Sequence, residues 1–494
     1  MPTHIPESDF PIAEVVLLRR FDRVLHYSIP DSLKDRIVPG LRVLAPFRSA
    51  WRVGVVTRRL KSSEFTPLKP LVAAIDEAPL LDRPMMALTR WLSEYYVTGW
   101  GTAIKAVLPS GMDLKPGRAH RITEKGLESL LNPGPRTTRD QALLEALRAS
   151  HSALSPARLK RRLLKSGGLP RGWEARLGSL IKRGLIEEKP VLPKTRSPSL
   201  KIKSPPAEAN TNSIQTNPVE SFPTKAGREL VADLQAGEFS VVCLEGHPRK
   251  ARTAALEGIR AAVAADRTTI VLVPEIHRIP EWLGRMKGPA YGPVAVLHGG
   301  LSDRERRAAW ERVRGGGAAV VLGTRLAVLA PLGRLGLVVV EDEADEAYKQ
   351  EEAPRYHARD LAVLRASHAG ALAVLTGTAL SVETYANTLN GKYRSVPLED
   401  GPEVPAPDIR VIDMSALSPG TLLSDDLLKA VAARLEKKEP SVLILNRRGY
   451  GTALFCRDCG FVLRCRRCQV AMVYSKGGKA ARCHYCGLTI DPPE

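Results

Sequence analysis

The stretch FSVVCLEGHPRKARTAAL, residues 239–256, decides how the chain is read. An apolar run leads to a glycine, a short polar string follows, and an alanine-rich helical pattern comes next. Strand, loop and helix in that order are the setting of a phosphate-binding loop of pattern G-x-x-x-x-G-K-[ST]. Gly246 and Thr253 occupy its first and last positions, but Ala251 stands in the second glycine slot and Arg252 in the lysine slot. Glycine lets the backbone turn tightly against an anion, and lysine offers a point charge to the phosphates. A Cβ at 251 and a wide planar guanidinium at 252 are not conservative replacements. Lys250 comes two positions early to take the lysine's role.

Outward from this stretch the chain repeats the same alternation. SVVCLEG, TTIVLVPEI, VAVLHGG, AAVVLGT, LGLVVVEDE and LAVLTGT are near-continuous apolar runs separated by helical patterns. Buried parallel strands have this composition, and ligands in such sheets meet the carboxyl ends of the strands. A multidomain α/β protein is expected. Residues 1–115 read as a mixed, β-rich domain and 116–190 as three short helices followed by a strand pair, a winged helix. The Pro-, Ser- and Asn-rich segment 191–225 reads as a linker, and 226–400 as the parallel α/β lobe. A second α/β unit starts over 401–455, with the helix LLSDDLLKAVAARLEKK and the strand SVLILN, and a cysteine region occupies 456–494.

The 494 residues carry a net charge of +20, and between residues 151 and 205 there are 14 Lys/Arg against 3 Asp/Glu. Such an excess attracts polyanions, because neutralised phosphates release counterions. Nucleic acid is the expected partner, with Arg161 and Arg162 of the winged-helix region among the phosphate contacts. No stretch of the length and apolarity of a membrane span is present, nor a signal-peptide pattern, and a cytoplasmic location is expected. Of seven cysteines, Cys243 lies in an apolar run and is expected in the core. The other six form three C-x-x-C pairs: Cys456/Cys459, Cys465/Cys468 and Cys483/Cys486. In a cytoplasmic chain such pairs point to metal. Cys465, Cys468, Cys483 and Cys486 make one complete tetrahedral Zn²⁺ set, while Cys456 and Cys459 form half of a second site, completed by His484, by a partner molecule or by nothing.

The order VLVPEI (271–276), VLHGGLSDRERRAAW (296–310), GTR (323–325), the long string from Leu335 to Ala366 with YKQEEAPRYHARD at 348–360, LILNRRGYG (443–451) and then paired cysteines resembles the PriA family. PriA, or primosomal protein N′, is the superfamily 2 replication-restart helicase family. The resemblance implies an N-terminal domain that seats a nascent 3′ end, a winged helix, a RecA-like helicase lobe and a second lobe carrying a zinc region. It further implies binding to stalled or branched forks, primosome assembly, reloading of the replicative helicase, and partners that include single-stranded DNA-binding protein. On family register Glu341 and Asp342 stand in the acidic Mg²⁺ box, Ala344 replaces its histidine, TGTAL (376–380) replaces G-S-A-T-P, and TKAGR (224–228) lacks the adenine-reading glutamine. Gly246, Arg252 and Thr253 remain the nucleotide candidates. With so many departures, loss of ATP hydrolysis is expected; an active 3′-to-5′ helicase with working altered motifs is the alternative, and a zinc-containing RNA binder is a third reading.

For DNA contact, Tyr348 and Tyr356 are expected to stack on bases while Lys349, Arg355 and Arg359 meet phosphates. In the 3′-end pocket Lys69 matches the family's lysine, whereas Leu25-His26 and Arg48 fill the slots of an aromatic–Asp pair and a glycine. Arg48 is expected to hold a phosphate instead of a 3′-hydroxyl being selected. The family's fourth cysteine pair, its arginine finger and most of its second lobe have no counterpart up to residue 494. That predicts either a fragment or a protein unable to unwind DNA.

Overall fold

The computed structural model describes residues 10–19, 23–48, 50–109, 111–112, 116–131, 137–150, 152–166, 168–191, 224–398, 408–413, 423–444, 461–475 and 480–491. Residues 192–223 of the linker, Cys456 and Cys459, and NRRGYG lie outside them.

The chain opens with five strands, β1 (Ile12–Leu17), β2 (Val24–Ser28), β3 (Arg42–Phe47), β4 (Ala50–Leu60) and β5 (Ala73–Ala74), in the order β2-β1-β4-β3-β5. Ser28 and Leu71 exchange backbone hydrogen bonds with the segment after β4 and with β2, and the Val72 amide reaches Leu44 O at 2.9 Å. Residues 69–72 thus join the two outer strands and curl the sheet into a small barrel around Val15, Leu17, Val43 and Val56. Two helices follow, α1 (Arg83–Tyr95), capped by Asp82 on the Met85 amide, and α2 (Trp100–Val107).

The winged-helix segment departs from expectation. β6 (Gly117–Ile122) comes first, then α3 (Glu124–Leu131), α4 (Thr137–Arg148), α5 (Pro156–Lys165) and α6 (Trp173–Lys182), then β7 (Ile186–Val191). The described residues of this segment hold four helices, not three. The strand pair is β6 with β7, antiparallel across the whole segment, rather than two successive strands after the helices. Leu159 and Leu163 of α5 bury one face while Arg158, Lys160, Arg161 and Lys165 remain exposed.

The main lobe is a seven-stranded sheet. Its elements run α7 (Lys225–Ala236), β8 (Ser240–Glu245), α8 (Pro248–Ala264), β9 (Thr268–Leu272), α9 (Ile279–Arg285), β10 (Val294–Leu297), α10 (Asp303–Arg314), β11 (Val320–Gly323), β12 (Leu335–Val340), α11 (Ala358–Ala369), β13 (Leu372–Gly377), α12 (Val382–Leu389) and β14 (Arg394–Ser395). Every pairing is parallel, in the order β10-β11-β9-β12-β13-β8-β14. All six apolar runs became strands, because a strand covered by helices on both faces needs apolar side chains at every position. Successive residues serve opposite cores: Val338 and Val340 pack on one face of the sheet, Leu337 and Val339 on the other. Cys243 is fully buried, as expected. One core is continuous with α1 and α2, and the Trp310 indole donates to Val107 O at 3.1 Å, so the N-terminal helices are docked on the lobe.

Past the lobe, α13 (Asp425–Glu436) forms where a helix was expected. The strand expected at SVLILN does not: residues 441–444 have no ladder partner, and Val442 and Ile444 are 84% and 85% exposed. A strand exists only by pairing, and no neighbour stands beside this segment among the described residues. Three short strands, β15 (Val473–Ser475), β16 (Ala480–Arg482) and β17 (Thr489–Ile490), form an antiparallel meander that carries the cysteines.

Candidate functional site

The β8–α8 connection is not a wrapped loop. Helix α8 begins at Pro248, whose fixed φ suits the first helical position, and only Gly246 and His247 separate it from β8. The amides of Lys250 and Ala251 donate to His247 O at 3.0 and 3.2 Å, and the Arg249 amide donates to His247 Nδ1 at 3.2 Å. These amides, which would face a phosphate in a P-loop, are already used to start the helix. Gly246 has φ +137 and lies against Leu398, so an apolar side chain covers the turn. The hydroxyl of Thr253 donates back to Arg249 O at 3.0 Å.

Arg252 is buried with 3% of its surface exposed. Its Nε donates to Glu341 Oε1 at 3.2 Å, one terminal nitrogen donates to the same oxygen, and the other donates to Glu281. The indole of Trp282 lies 5.6 Å from the guanidinium and donates to Glu341 Oε2 at 2.9 Å. Both oxygens of Glu341 are therefore taken by protein donors. The expectation that Arg252 offers its charge to a phosphate is corrected here: the charge is neutralised inside the protein by two carboxylates. Asp342 sits beside Glu341 with φ +51, and burial, followed by the nearby Asp345, pushes its carboxyl above the ordinary value. Glu281 and Trp282 were not singled out from sequence. The only signal for them was their place in the helix after VLVPEI, one strand away.

Glu343 is fully buried and links three strings far apart in the chain. It accepts from Arg359 at 3.0 Å, from the Ser381 amide at 2.6 Å and from the Ser381 hydroxyl at 3.0 Å. Arg359 also contacts Asp360 at 2.9 Å. This corrects the reading of Arg359 as a phosphate contact, since its donors are turned inward. Tyr348 and Tyr356 are corrected likewise, being 0% and 1% exposed. The Tyr348 hydroxyl donates toward Glu341 O at 2.5 Å and Leu272 O at 3.1 Å, and burial pushes its ionisation well above the ordinary value. Their rings are core, not stacking platforms. Lys349 and Arg355 remain exposed, with Lys349 Nζ donating to Arg355 O at 2.8 Å.

In the N-terminal barrel, Arg48 is exposed on the β3–β4 turn with φ +54, its guanidinium 5.6 Å from the Phe47 ring. Lys69 is exposed where its carbonyl accepts from the Ser28 amide. His26 contacts Ser63 Oγ at 2.8 Å and lies 3.8 Å from Glu14. Burial raises the Glu14 carboxyl, but hydrogen bonds from Arg58 and Thr57 outweigh it and hold it below the ordinary value. Arg161 is exposed on α5, whereas Arg162 is half-buried and donates to Ala149 O at 2.6 Å.

Cys465, Cys468, Cys483 and Cys486 converge, with all four sulfurs within 4.8 Å of one another and Cys465 and Cys486 at 3.6 Å. Tetrahedral Zn–S bonds of about 2.3 Å require sulfur separations of about 3.8 Å, so the donor set fits zinc. The two knuckles match each other: Gln469 donates to Cys465 O and Gly487 to Cys483 O, with φ of +58 and +71. Arg325 anchors the knuckle to the lobe through Cys468 O at 3.4 Å. Beside it a cleft of about 590 Å³ opens at the carboxyl ends of β9, β10 and β11, lined by Arg306, Arg325, Arg466 and Arg467.

Comparison with known proteins bears on these units. The PriA 3′DNA-binding domain (3′BD) matches residues 14–109, and the PriA DNA helicase Cys-rich region (CRR) domain matches residues 465–490. Replication restart protein PriA of Bacillus subtilis is 28% identical over 96% of this chain and 67% of its own length; that of Haemophilus influenzae is 30% identical over 96% of this chain and 64% of its own. The chain carries the PriA 3′DNA-binding and Cys-rich domains and is similar to PriA over nearly its whole length. It spans about two thirds of the length of these PriA relatives. Among solved structures, RecG bound to a three-way DNA junction matches with 16% identity and a TM-score of 0.27, covering 37% of this chain and 25% of that one. Dbp5 of S. cerevisiae bound to RNA and ADP BeF3 matches with 17% identity and a TM-score of 0.26, covering 33% and 42%. At these scores neither likeness weighs on the fold, which rests on the PriA domains and the sheet order above. Among the described residues no helix is long and apolar enough to cross a membrane.

Proposed function

We propose that this PriA-like chain binds stalled or branched replication forks and acts in replication restart without hydrolysing ATP. The observation that carries the second half is the buried Arg252, held by Glu341 and Glu281 where a nucleotide's phosphates and Mg²⁺ would have to enter. For the triphosphate to bind, the helix start at Pro248 must unwind and a buried ion pair must open, and until phosphate and Mg²⁺ have both replaced the lost partners a charge is buried alone. A buried carboxylate left without its partner is strongly unfavourable. Gly246 and Thr253 do not compensate, since Leu398 covers the first and the second bonds its own helix.

DNA binding is supported by the 3′BD match, by the net charge of +20, and by the exposed cations of α5, Arg48, Lys69, Lys349 and Arg355. The relatives similar to it over nearly the whole chain are named replication restart proteins. Primosome assembly, replicative helicase reloading and contact with single-stranded DNA-binding protein belong to the same proposal. Zinc in the four-cysteine site holds the ribbon, whose Arg466 and Arg467 extend the basic surface. A second zinc at Cys456 and Cys459 is not part of it, and these residues lie outside the described ones.

The test is phosphate release from ATP by the purified chain, with and without forked DNA, beside fork binding measured by fluorescence anisotropy. Fork binding with no DNA-stimulated hydrolysis is expected. Stimulated hydrolysis would return the chain to the active helicases, and absence of fork binding would remove the proposal altogether.

A further inference from the structure

A cavity of about 420 Å³ lies on the sheet edge opposite the Arg252–Glu341 pair. It opens at the amino ends of β9 and β12, where Arg267 precedes the first strand and Leu332 leads toward the second. The first two turns of α1 form one wall through Met85 and Leu88. The last turns of α11 form another through Arg365 and Ala369. The nucleotide positions and the zinc ribbon stand at the carboxyl ends of the strands and take no part in it.

Arg365 gives this cavity its chemistry. Only 7% of its surface is exposed, and no carboxylate among the described residues forms an ion pair with it. Its Nη1 donates to Val328 O at 2.5 Å and to Ala330 O at 2.8 Å, which holds the guanidinium in place. Nε and Nη2 have no partner among the described residues. Neither is walled off in the interior, and the side chain lines the cavity. These two nitrogens form one edge of the guanidinium, and their parallel N–H bonds match the two oxygens of a carboxylate. Burial pushes the ionisation of Arg365 down to about 10, so it is still a cation at neutral pH. A buried cation without a counter-charge is costly, and an anion on this edge removes that cost.

The surroundings select the anion. Arg334 is already paired with Asp266. Arg267 donates through Nη2 to Leu335 O at 2.9 Å, and its Nε is buried without a partner. One carboxylate, Asp82, lines the same cavity and accepts from the Met85 amide at 2.9 Å as the cap of α1. Arg267 and Arg365 against Asp82 leave one positive charge to be met, and Asp82 repels a second negative one. Met85, Leu88, Leu332 and Leu335 make the rest of the wall apolar, and the volume is that of a small-molecule site. We propose that this cavity binds a small monocarboxylate with an apolar body, its two oxygens on the Nε–Nη2 edge of Arg365 and its body between α1 and the start of β12. A nucleotide or a DNA strand carries too many charges for this balance. The ligand touches α1 and the lobe at once, so its binding favours their docked arrangement. The site is independent of the DNA-binding and ATPase readings.

The experiment titrates the whole chain calorimetrically with 2-naphthoate, with its uncharged amide and with 2-naphthyl phosphate. For a ligand of this size 2-naphthoate is expected to bind with a dissociation constant of about 0.1 mM. The amide should bind about tenfold more weakly, having lost the charge-assisted bonds, and the doubly charged phosphate should also bind more weakly. Arg365→Lys keeps a charge but loses the parallel edge, and should weaken 2-naphthoate about tenfold. Ala369→Trp, at an exposed position of α11, fills the cavity and should abolish binding, which keeps the test open if Arg365→Lys proves unstable. Asp82→Asn retains a cap for α1 and removes the opposing charge, so 2-naphthoate should bind about threefold more tightly. Equal binding of 2-naphthoate and its amide overturns the proposal, as does tighter binding of 2-naphthyl phosphate. Undiminished binding by Ala369→Trp, or no saturable binding of 2-naphthoate below about 1 mM, overturns it as well.

Discussion

Arg252 and Glu341 stand 89 residues apart in sequence and share one buried contact, in which two guanidinium nitrogens reach a single carboxylate oxygen. The pair joins the position of the phosphate-binding cation to the position of the Mg²⁺-binding acid, so each residue occupies the other's partner. Trp282 and Glu281 complete the enclosure.

Removing only the cation should therefore be costly. Arg252→Ala strands the Glu341 carboxylate in the core and is expected to destabilise the lobe by about 3–5 kcal/mol, read as a fall in thermal midpoint. Arg252→Met combined with Glu341→Gln keeps an acceptor for the Trp282 indole and removes both charges; it should retain most of the lost stability. A double variant as unstable as Arg252→Ala would mean that the ion pair itself, and not the stranded charge, sets the effect.

Restoring the consensus lysine should not restore turnover. In Arg252→Lys the ammonium still faces Glu341 and Glu281, Pro248 still starts the helix, and the loop amides remain bonded to His247. Phosphate release with forked DNA is expected to stay at background, and ATP with Mg²⁺ should not raise the thermal midpoint. Substantial ATPase in this variant would contradict the locked geometry.

Much of the fold was legible because burial on both faces leaves a parallel strand no polar positions: LGLVVV and LAVLTG admit no other reading in a chain that alternates with helices. The zinc set was legible from spacing alone, because a C-x-x-C turn already holds two ligands at a zinc edge. What was not legible depends on contacts remote in sequence. Pro248 can open either a loop or a helix, and only the bonds to His247 and the cover from Leu398 show which. Tyr348 and Tyr356 sit in a polar string and read as surface, yet their hydroxyls reach backbone carbonyls that let the rings be buried.

Asp342 should be a liability at neutral pH. Its folded-state carboxyl is pushed above the ordinary 3.8 by burial and by Asp345, so ionisation is less favourable in the fold than in the unfolded chain. A raised acid contributes nothing adverse well below its unfolded value and lowers stability as pH rises through and beyond it. Asp342→Asn is expected to raise the thermal midpoint at pH 7, with the gain fading once the pH falls below about 4. Asparagine also suits the left-handed backbone at φ +51. Loss of stability at neutral pH in Asp342→Asn would show that the carboxylate has a charge partner that favours it.

Metal analysis should give one zinc per chain, bound by Cys465, Cys468, Cys483 and Cys486. Cys483→Ser should abolish it and free residues 461–491 for proteolysis, because Cys465, Cys483, Met472 and Ala481 are nearly all of this unit's core. The lobe has its own core and should keep its thermal midpoint. A content near two would show that Cys456 and Cys459 had recruited further ligands.

Neighbouring arginines on α5 should separate a structural role from a DNA-contacting one. Arg161 is exposed on the face opposite Leu159 and Leu163, whereas Arg162 is half-buried with its guanidinium on Ala149 O. Each phosphate neutralised by a cation adds about 0.9 to the slope of log affinity against log salt on duplex DNA. Replacing Lys160 and Arg161 together by glutamine should therefore lower that slope by about 2 and leave the thermal midpoint unchanged. Arg162→Ala should instead lower stability by about 1 kcal/mol through the lost hydrogen bond, with the salt slope intact. If the slope is indifferent to Lys160 and Arg161 but falls with Arg162, the basic face of α5 is solvated surface, and the duplex is held elsewhere in the chain.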